Sequence, residues 1–456
     1  MSQSPRSVCP VCLRPIPAAH ETVGDETFLV KTCPEHGEFR AVVWRGEPSF
    51  AAWARPKVPS SPRTPFTEVD RGCPLDCGLC DAHRQHTCTA LLEVTWRCDL
   101  GCPVCFASSG RQAPPDPSLD ELGRLFDRVE LASDYCNIQL SGGEPTVRED
   151  LADIIRLGKG KGFPFIQLNT NGLRLAREQG YADRLAEAGL DSVFLQFDGT
   201  RDGIYETLRG RSLLDAKLAA LDALAKAGVG VILVPTLVPG VNNDDLGNIL
   251  RLAMERSPAV RGVHFQPVSY FGRYPTRPGD EERITLPEIM RGLETQTGGM
   301  LKAADFSPPG CEHAFCSFHA NYVVTEEGGL TRLSSNGACG CTPRPASEGA
   351  DAAKAFVKRQ WAAPEKRLPM AFDGAQAGAS SDSEPMDALD AFIRRAATHT
   401  LAVSAMAFQD CWTLDLERLK GCCIHEVSPD GRLIPFCAYN LTSMDGETLY
   451  RGKCHE

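Results

Sequence analysis

From Leu91 onward the chain alternates short apolar runs with amphipathic ones. "ALLEVTW", "YCNIQLSG", "FPFIQLNTNG", "DSVFLQFDG", "GVILVPTLVPG" and "VRGVHFQPVS" read as strands. Between them "SLDELGRLFDRVE", "REDLADIIRLGKGKG", "YADRLAEAGL", "LLDAKLAALDALAKAGV" and "DDLGNILRLAMERS" carry apolar residues at helical spacing. Strands that alternate with helices call for a parallel sheet covered by helices. Six such units fit an α/β fold, a partial (β/α)6 barrel, with a doubly wound sheet as the alternative. In a barrel the chemistry belongs at the C-terminal ends of the strands.

The 456 residues leave room for about three domains around this core. Residues 1–55 form a first unit, followed by the Pro/Ser-rich joint "RPKVPSSPRTP". Residues 69–90 carry a dense cysteine group, residues 91–300 the barrel pattern, and residues 301–456 a C-terminal region. Within that region a compositionally biased stretch, about 343–388, reads as a flexible insert. "CCIHEVSPDGRLIPFCAYN" sets a PDG turn between two apolar runs, which predicts a hairpin.

Charge and hydropathy exclude some functions. The formal net charge is -11 and no Lys/Arg run stands out, which argues against nucleic-acid binding on a broad basic face. The longest apolar stretch, around Val229 to Val238, is far short of a membrane span and contains Pro235. "MSQSPRSVCPVC" has no apolar leader segment, so the cytoplasm is the expected compartment. Twenty cysteines in a reducing compartment point to metal rather than disulfides.

Directly after the first strand, "CDLGCPVC" offers Cys98, Cys102 and Cys105. Closely spaced thiolates of this kind hold iron–sulfur clusters, and three of them leave one iron of a four-iron cluster open. A zinc loop, or a cluster borrowing a fourth cysteine, is the competing reading. The second strand ends in Ser141-Gly142-Gly143-Glu144-Pro145, where two glycines allow close backbone approach to a ligand and Glu144 supplies an acceptor. Asn169, Asn171, Gln196 and Asp198 stand at later strand ends. They either line a barrel interior or cap the helices that follow.

Three further metal sets are legible. Cys9, Cys12, Cys33 and His36 form two two-ligand knuckles that suit one tetrahedral Zn or a rubredoxin-like Fe. Cys73, Cys77, Cys80 and Cys88 offer four thiolates within sixteen residues, enough for a second four-iron cluster. Cys311, Cys316, Cys422 and Cys437 are the expected ligands of a third, with Cys423 as the substitute for Cys422.

The three-cysteine loop followed by Gly-Gly-Glu-Pro resembles the radical S-adenosylmethionine (SAM) enzymes. The resemblance implies that Cys98, Cys102 and Cys105 ligate a 4Fe-4S cluster whose open iron is chelated by SAM. It implies that Gly142 to Pro145 contact the SAM amino group and that Phe106 lies near the adenine. A 5'-deoxyadenosyl radical would then abstract a hydrogen atom, with the protein supplying orientation and exclusion of water. The whole layout is similar to the subgroup of tetraether lipid synthase and the class D radical SAM methyltransferases. That subgroup implies two auxiliary 4Fe-4S clusters, a mononuclear Zn or Fe site, and a reductant such as ferredoxin or flavodoxin. It also implies C-methylation or C–C bond formation on a lipid-like or pterin-like substrate. A membrane-peripheral placement goes with the lipid-like case. The alternatives are a radical SAM peptide maturase and a non-enzymatic multi-cluster electron carrier.

Overall fold

The structure is a computed structural model that describes residues 5–110, 113–333, 345–364 and 388–452. The six expected strands are β1 (Thr89–Thr95), β2 (Asn137–Gly142), β3 (Ile166–Thr170), β4 (Ser192–Gln196), β5 (Gly230–Val234) and β6 (Val260–Pro267). They pair in parallel and in chain order. A doubly wound sheet would reverse its order partway; here the order never reverses, so the partial barrel is the architecture.

Alternation along each strand decides which side is apolar. Leu92, Val94, Ile138, Leu140, Leu168, Val193, Leu233 and Val263 face the helices and form the main hydrophobic core. The residues between them face the other way and are mostly polar: Glu93, Gln139, Ser141, Gln167, Asn169, Gln196 and His264. The helix after β1, α1 (Leu119–Ser133), shows how the outer layer is specified. Ser118 and Glu121 form a capping box at its start, and Leu122, Phe126 and Val129 turn inward at helical spacing.

The C-terminal region extends the sheet at both edges. Strands β7 (Ser317–Val324) and β8 (Thr400–Met406) add beyond β6, with β8 parallel to β6 and β7 antiparallel to β8. At the opposite edge β9 (Ile424–Val427) pairs in parallel with β1, placing Ile424 opposite Thr89 and Glu426 opposite Leu91. The predicted hairpin continues into β10 (Leu433–Pro435), antiparallel to β9. Among the described residues this makes a twelve-stranded sheet.

Residues 6–45 form a separate four-stranded antiparallel sheet. It docks through buried polar contacts: Lys31 donates to the Cys411 carbonyl at 2.7 Å and Ser7 Oγ to the Leu414 carbonyl at 2.5 Å.

The expectation of a flexible insert over about 343–388 needs correction in part. Residues Ala346–Trp361 form a helix, α2. Its last residue, Trp361, packs on Phe194 and His264 from the barrel interior, with ring centroids 5.0 and 6.5 Å away. Low sequence complexity concealed an anchoring aromatic and a buried Gln360 whose carbonyl accepts from Arg261 at 3.0 Å. Residues 365–387, the rest of that insert, lie outside the described residues, as do Cys339 and Cys341. Among the described residues no helix is long and apolar enough to cross a membrane.

Candidate active site and metal centres

The Cys98–Cys105 loop follows β1 and is held from several sides. Cys98 N–H donates to Gly110 O at 3.0 Å, and Cys105 and Arg273 exchange backbone hydrogen bonds at 2.9 Å. The Arg273 side chain donates to the carbonyls of Cys102 (2.9 Å) and Ser109 (3.1 Å). These bonds tie down the backbone of the loop on both sides of its three cysteines.

The glycine turn after β2 braces the loop. A Cβ on Gly143 would lie 2.2 Å from the Arg97 carbonyl oxygen, and one on Gly142, at φ +130°, would lie 2.0 Å from that of Thr95. Gly143 N–H donates to Thr95 O at 2.8 Å and Glu144 N–H to Arg97 O at 2.9 Å. The close approach expected of these glycines toward a ligand is thus made toward the backbone that leads into Cys98.

Glu144 is likewise engaged by the protein. Its Oε1 accepts from Thr146 N (3.0 Å), Thr146 Oγ1 (2.6 Å) and Thr170 Oγ1 (2.6 Å), and its Oε2 from Asn171 N (2.6 Å). Burial raises its pKa against these bonds. Asn171 reaches Asp99 in the cluster loop, Nδ2 to Oδ1, at 2.7 Å. Asp198 is fully buried in a two-pronged ion pair with Arg209, with both contacts at 2.7 Å. Glu144, Asn171 and Asp198 therefore position other groups rather than offer free side chains. Asn169 differs: its buried Oδ1 has no hydrogen-bond partner among the described residues.

Two cations that sequence reasoning missed stand beneath the loop. Arg209, paired with Asp198, is also an electrostatic neighbour of the Cys102 thiol. Lys217, fully buried, donates to Asn171 O at 2.5 Å and Gln196 Oε1 at 3.2 Å, and burial brings its pKa down to about 8. Both sit on helices, eleven and nineteen residues past Asp198, with no local pattern to mark them. Burial pushes the Cys98 thiol up to about 12, with Glu144 and Asp99 adding to the effect, and raises Cys102 against the pull of Arg209. These thiols ionise readily only with a cation to bind, and the donor set suits an iron–sulfur cluster.

Phe106 is exposed on the far side of the loop, with the Arg451 guanidinium 5.6 Å from its ring centre. Arg451 is also paired with Glu93 of β1 at 2.7 Å. Glu93 and Tyr439 border a cavity of about 690 Å³ between the end of β1, α1 and the β9–β10 turn.

In the N-terminal sheet Cys9, Cys12, Cys33 and His36 converge with their ligand atoms within 4.8 Å of one another. His36 Nδ1 lies 3.5 Å from Cys9 Sγ and 3.3 Å from Cys33 Sγ. A zinc tetrahedron has edges of about 3.5 Å between such ligands. Burial opposes ionisation of Cys33, but His36 and the neighbouring amides outweigh it and bring the thiol down to about 6.

The remaining cysteines do not divide as their spacing predicts. Cys88 gathers with Cys311 and Cys423, all buried, with Sγ atoms within 4.8 Å of one another. The cause is the β1–β9 pairing: Cys88 N–H donates to Cys423 O at 2.8 Å, so the two thiols meet at the sheet edge. Cys422, just before the strand, is tied instead to the end of the preceding helix, its N–H donating to Leu419 O at 3.1 Å. Cys422 is an electrostatic neighbour of Cys437 and Cys316, and also of Cys77, which lies against Cys73 and near Cys80. Arg418 Nη2 donates to Cys316 Sγ at 3.4 Å and Gln409 N–H to Cys437 Sγ at 3.3 Å. Cys88 thus stands with Cys311 and Cys423, apart from the expected Cys73/Cys77/Cys80/Cys88 and Cys311/Cys316/Cys422/Cys437 quartets. Strand pairing across more than three hundred residues, invisible to local spacing, decides the partition.

Comparison with known proteins agrees with this geometry. A family model described as the radical SAM superfamily matches residues 92–253, and one described as the HMPTM N-terminal zinc ribbon domain matches residues 1–45. The chain is 34% identical over 491 residues to the 7,8-dihydro-6-hydroxymethylpterin dimethyltransferase of Methanocaldococcus jannaschii, covering 100% of this chain and 95% of that one. It is 31% identical to the mitochondrial GTP 3',8-cyclase of Arabidopsis thaliana, over 40% of this chain and 47% of that protein. Streptococcus suis SuiB bound to S-adenosylmethionine aligns with a TM-score of 0.38 at 14% identity, over 47% of this chain and 48% of that one. With a relative aligned along its entire length and a superfamily match across its barrel strands, this chain belongs to the radical SAM enzymes, in the family of the Methanocaldococcus dimethyltransferase.

Proposed function

We propose that this enzyme methylates carbon on a pterin-like substrate. The observation that carries the reading is the 34% identity to a pterin dimethyltransferase over 100% of this chain and 95% of that one. The polar interior of the barrel supports it. Gln139 donates to Gln167 at 2.8 Å, His264 pairs with Ser404 at 2.8 Å, and Asn169 keeps a free oxygen. Such a lining suits a flat heteroaromatic ring with donors and acceptors better than an alkyl chain.

Cys98, Cys102 and Cys105 are the proposed ligands of the radical SAM cluster. When bound, the reduced cluster and SAM supply a radical that removes a hydrogen atom from carbon. The chain's own groups do the rest. Arg209, charged beside the Cys102 thiol, would with Lys217 offset buried negative charge. Arg273 fixes the loop carbonyls. The Ser141–Pro145 turn and Phe106 are the proposed contacts for SAM, with Glu144, Asn171 and Asp198 holding that pocket in register and Asn169 and Gln196 facing the interior. Cys9, Cys12, Cys33 and His36 would hold a structural Zn in the 1–55 unit. Cys88, Cys311 and Cys423 would hold one auxiliary cluster, and the 69–90 and C-terminal cysteines a second. A small one-electron donor such as ferredoxin or flavodoxin would serve as reductant.

The test is anaerobic. The protein is reconstituted with iron and sulfide, then given SAM, reductant and 7,8-dihydro-6-hydroxymethylpterin, and the pterin is followed by mass spectrometry. The expected result is 5'-deoxyadenosine together with pterin heavier by one or two methylene units. 5'-Deoxyadenosine with unchanged pterin, across a range of methyl donors, would reject the substrate class and leave the radical SAM assignment standing.

A further inference from the structure

Glu426 is out of keeping with the other buried acids. It is fully buried on β9, and neither carboxylate oxygen has a hydrogen-bond partner among the described residues. Glu144, Asp198 and Asp410 are equally buried, and each holds bonds at 2.6–2.8 Å. A carboxyl group left without partners in a protein interior is unfavourable, so its retention calls for a ligand.

Its surroundings indicate where that ligand sits. Glu426 is opposite Leu91 in the parallel β1–β9 pair, so it shares a face with Leu91 and with Glu93 two residues on. Glu93 is already engaged. Its Oε2 accepts from Trp96 Nε1 and the Tyr439 hydroxyl, both at 3.2 Å, and its Oε1 faces Arg451 Nη1 at 2.7 Å. Arg451 in turn donates to Asn440 Oδ1 and overhangs Phe106, the residue after Cys105. A row of contacts thus runs from Glu93, past the cavity that it borders with Tyr439 and with Val427, the residue after Glu426, to the cluster loop.

We propose that Glu426 anchors the substrate by accepting from two adjacent N–H donors, the ring N3–H and the exocyclic 2-amino group of a 2-amino-4-oxopyrimidine edge. The inference rests on the pterin reading above and adds the residue that recognises the ring. Two parallel donors on a planar edge match a carboxylate as the arginine fork does. Glu93, held by Trp96, Tyr439 and Arg451, is the fixed wall beside it. Placed by β9, Glu426 would set the ring at a defined distance from Phe106 and the cluster loop. Its role is that of a specificity-determining residue; no bond is made or broken at it.

The experiment uses the full-length protein, reconstituted anaerobically, with two probes measured by calorimetry. 6-Hydroxymethylpterin carries the donor pair. A lumazine bearing the same 6-hydroxymethyl group replaces the 2-amino group by a carbonyl and lacks it. The wild type is expected to prefer the pterin at least tenfold. Glu426→Gln presents an amide N–H to one donor and is expected to weaken pterin binding about 10–100-fold while leaving lumazine within about threefold. Glu426→Asp, with the carboxylate kept but withdrawn, is expected to bind both more weakly and still prefer the pterin. Iron content and thermal midpoint identify folded variants, and Glu426→Gln is expected to melt no lower than wild type because it removes an unpartnered buried group. Unchanged pterin affinity in Glu426→Gln, or an equal loss for both probes, would overturn this inference and leave the pterin reading intact. A wild type that binds neither probe would overturn both.

Discussion

A single methyl group at Gly143 tests how the glycine turn works. In Gly143→Ala the new Cβ would start 2.2 Å from the Arg97 carbonyl oxygen, where ordinary contact begins at 3.4 Å, so turn and loop must part by about 1.2 Å. The nearest atoms are backbone, with the Arg97 carbonyl carbon at 2.7 Å and the Trp96 oxygen at 2.9 Å, so no side chain can swing away. Parting breaks the hydrogen bonds from Gly143 N to Thr95 O and from Glu144 N to Arg97 O. Cys98 is the next residue, so the displacement passes directly into the cluster loop. A misplacement of about 1 Å at a reacting centre costs on the order of 10²-fold in rate. The expected outcome is a loss of that size in 5'-deoxyadenosine formation under saturating SAM and reductant. Gly101→Ala makes the same chemical change within the cluster loop, where a Cβ meets nothing within 4 Å, and is expected to stay within about threefold of wild type. Gly143→Ala with full iron content and a wild-type rate would refute the bracing argument, because it would show the loop indifferent to the turn behind it.

Other consequences are open to equally direct tests. Arg209→Ala leaves Asp198 charged and unpaired with no exposure to water, so urea unfolding should show about 3–5 kcal/mol lost stability, with a smaller loss in the double variant Asp198→Asn/Arg209→Ala. For the cysteine partition, Cys88→Ala and Cys423→Ala should each lose the same iron and the pair no more than either alone, whereas Cys77→Ala/Cys88→Ala should lose iron additively; iron and sulfide analysis decides. Burial alone lowers the pKa of His264 to about 4, against about 6.5 unfolded. The folded protein therefore holds fewer protons than the unfolded chain between these values, and stability falls as pH drops from 6.5 toward 4, by about 3 kcal/mol. His264→Gln should flatten that part of a stability–pH curve measured by urea titration. Cys12→Ser should remove one bound Zn, read by plasma mass spectrometry, and leave the iron content unchanged.

What the sequence reveals and what it hides separate along physical lines. Strand and helix periodicity is local, so the six β/α units and the capped helix at Leu119 could be read directly. Ligands packed into one loop, such as Cys98, Cys102 and Cys105, are legible for the same reason, and so is the ribbon set closed by His36. The pairing of Cys88 with Cys423 is non-local, fixed by one strand register, and spacing pointed to the wrong partners. The protein partners of Glu144 and Asp198 are not legible, because an acid at a strand end looks the same whether it faces a ligand or a neighbouring side chain. Arg209, Lys217 and Arg451 left no local signal, since each acts through groups remote in the chain. The helix at Ala346 was masked by its own composition: alanine and glycine gave no amphipathic stripe strong enough to contradict the impression of a loop.

The β1–β9 pairing also has a bearing on how the molecule is made. Strand β1 leaves the ribosome long before β9, and the two are separated by more than three hundred residues, so the barrel edge stays open until β9 is made. Until then Cys88 has neither Cys423 beside it nor a cover over the first strand, and Glu426 does not yet exist. Any metal centre built on Cys88, Cys311 and Cys423 would therefore have to wait for β9 to be made.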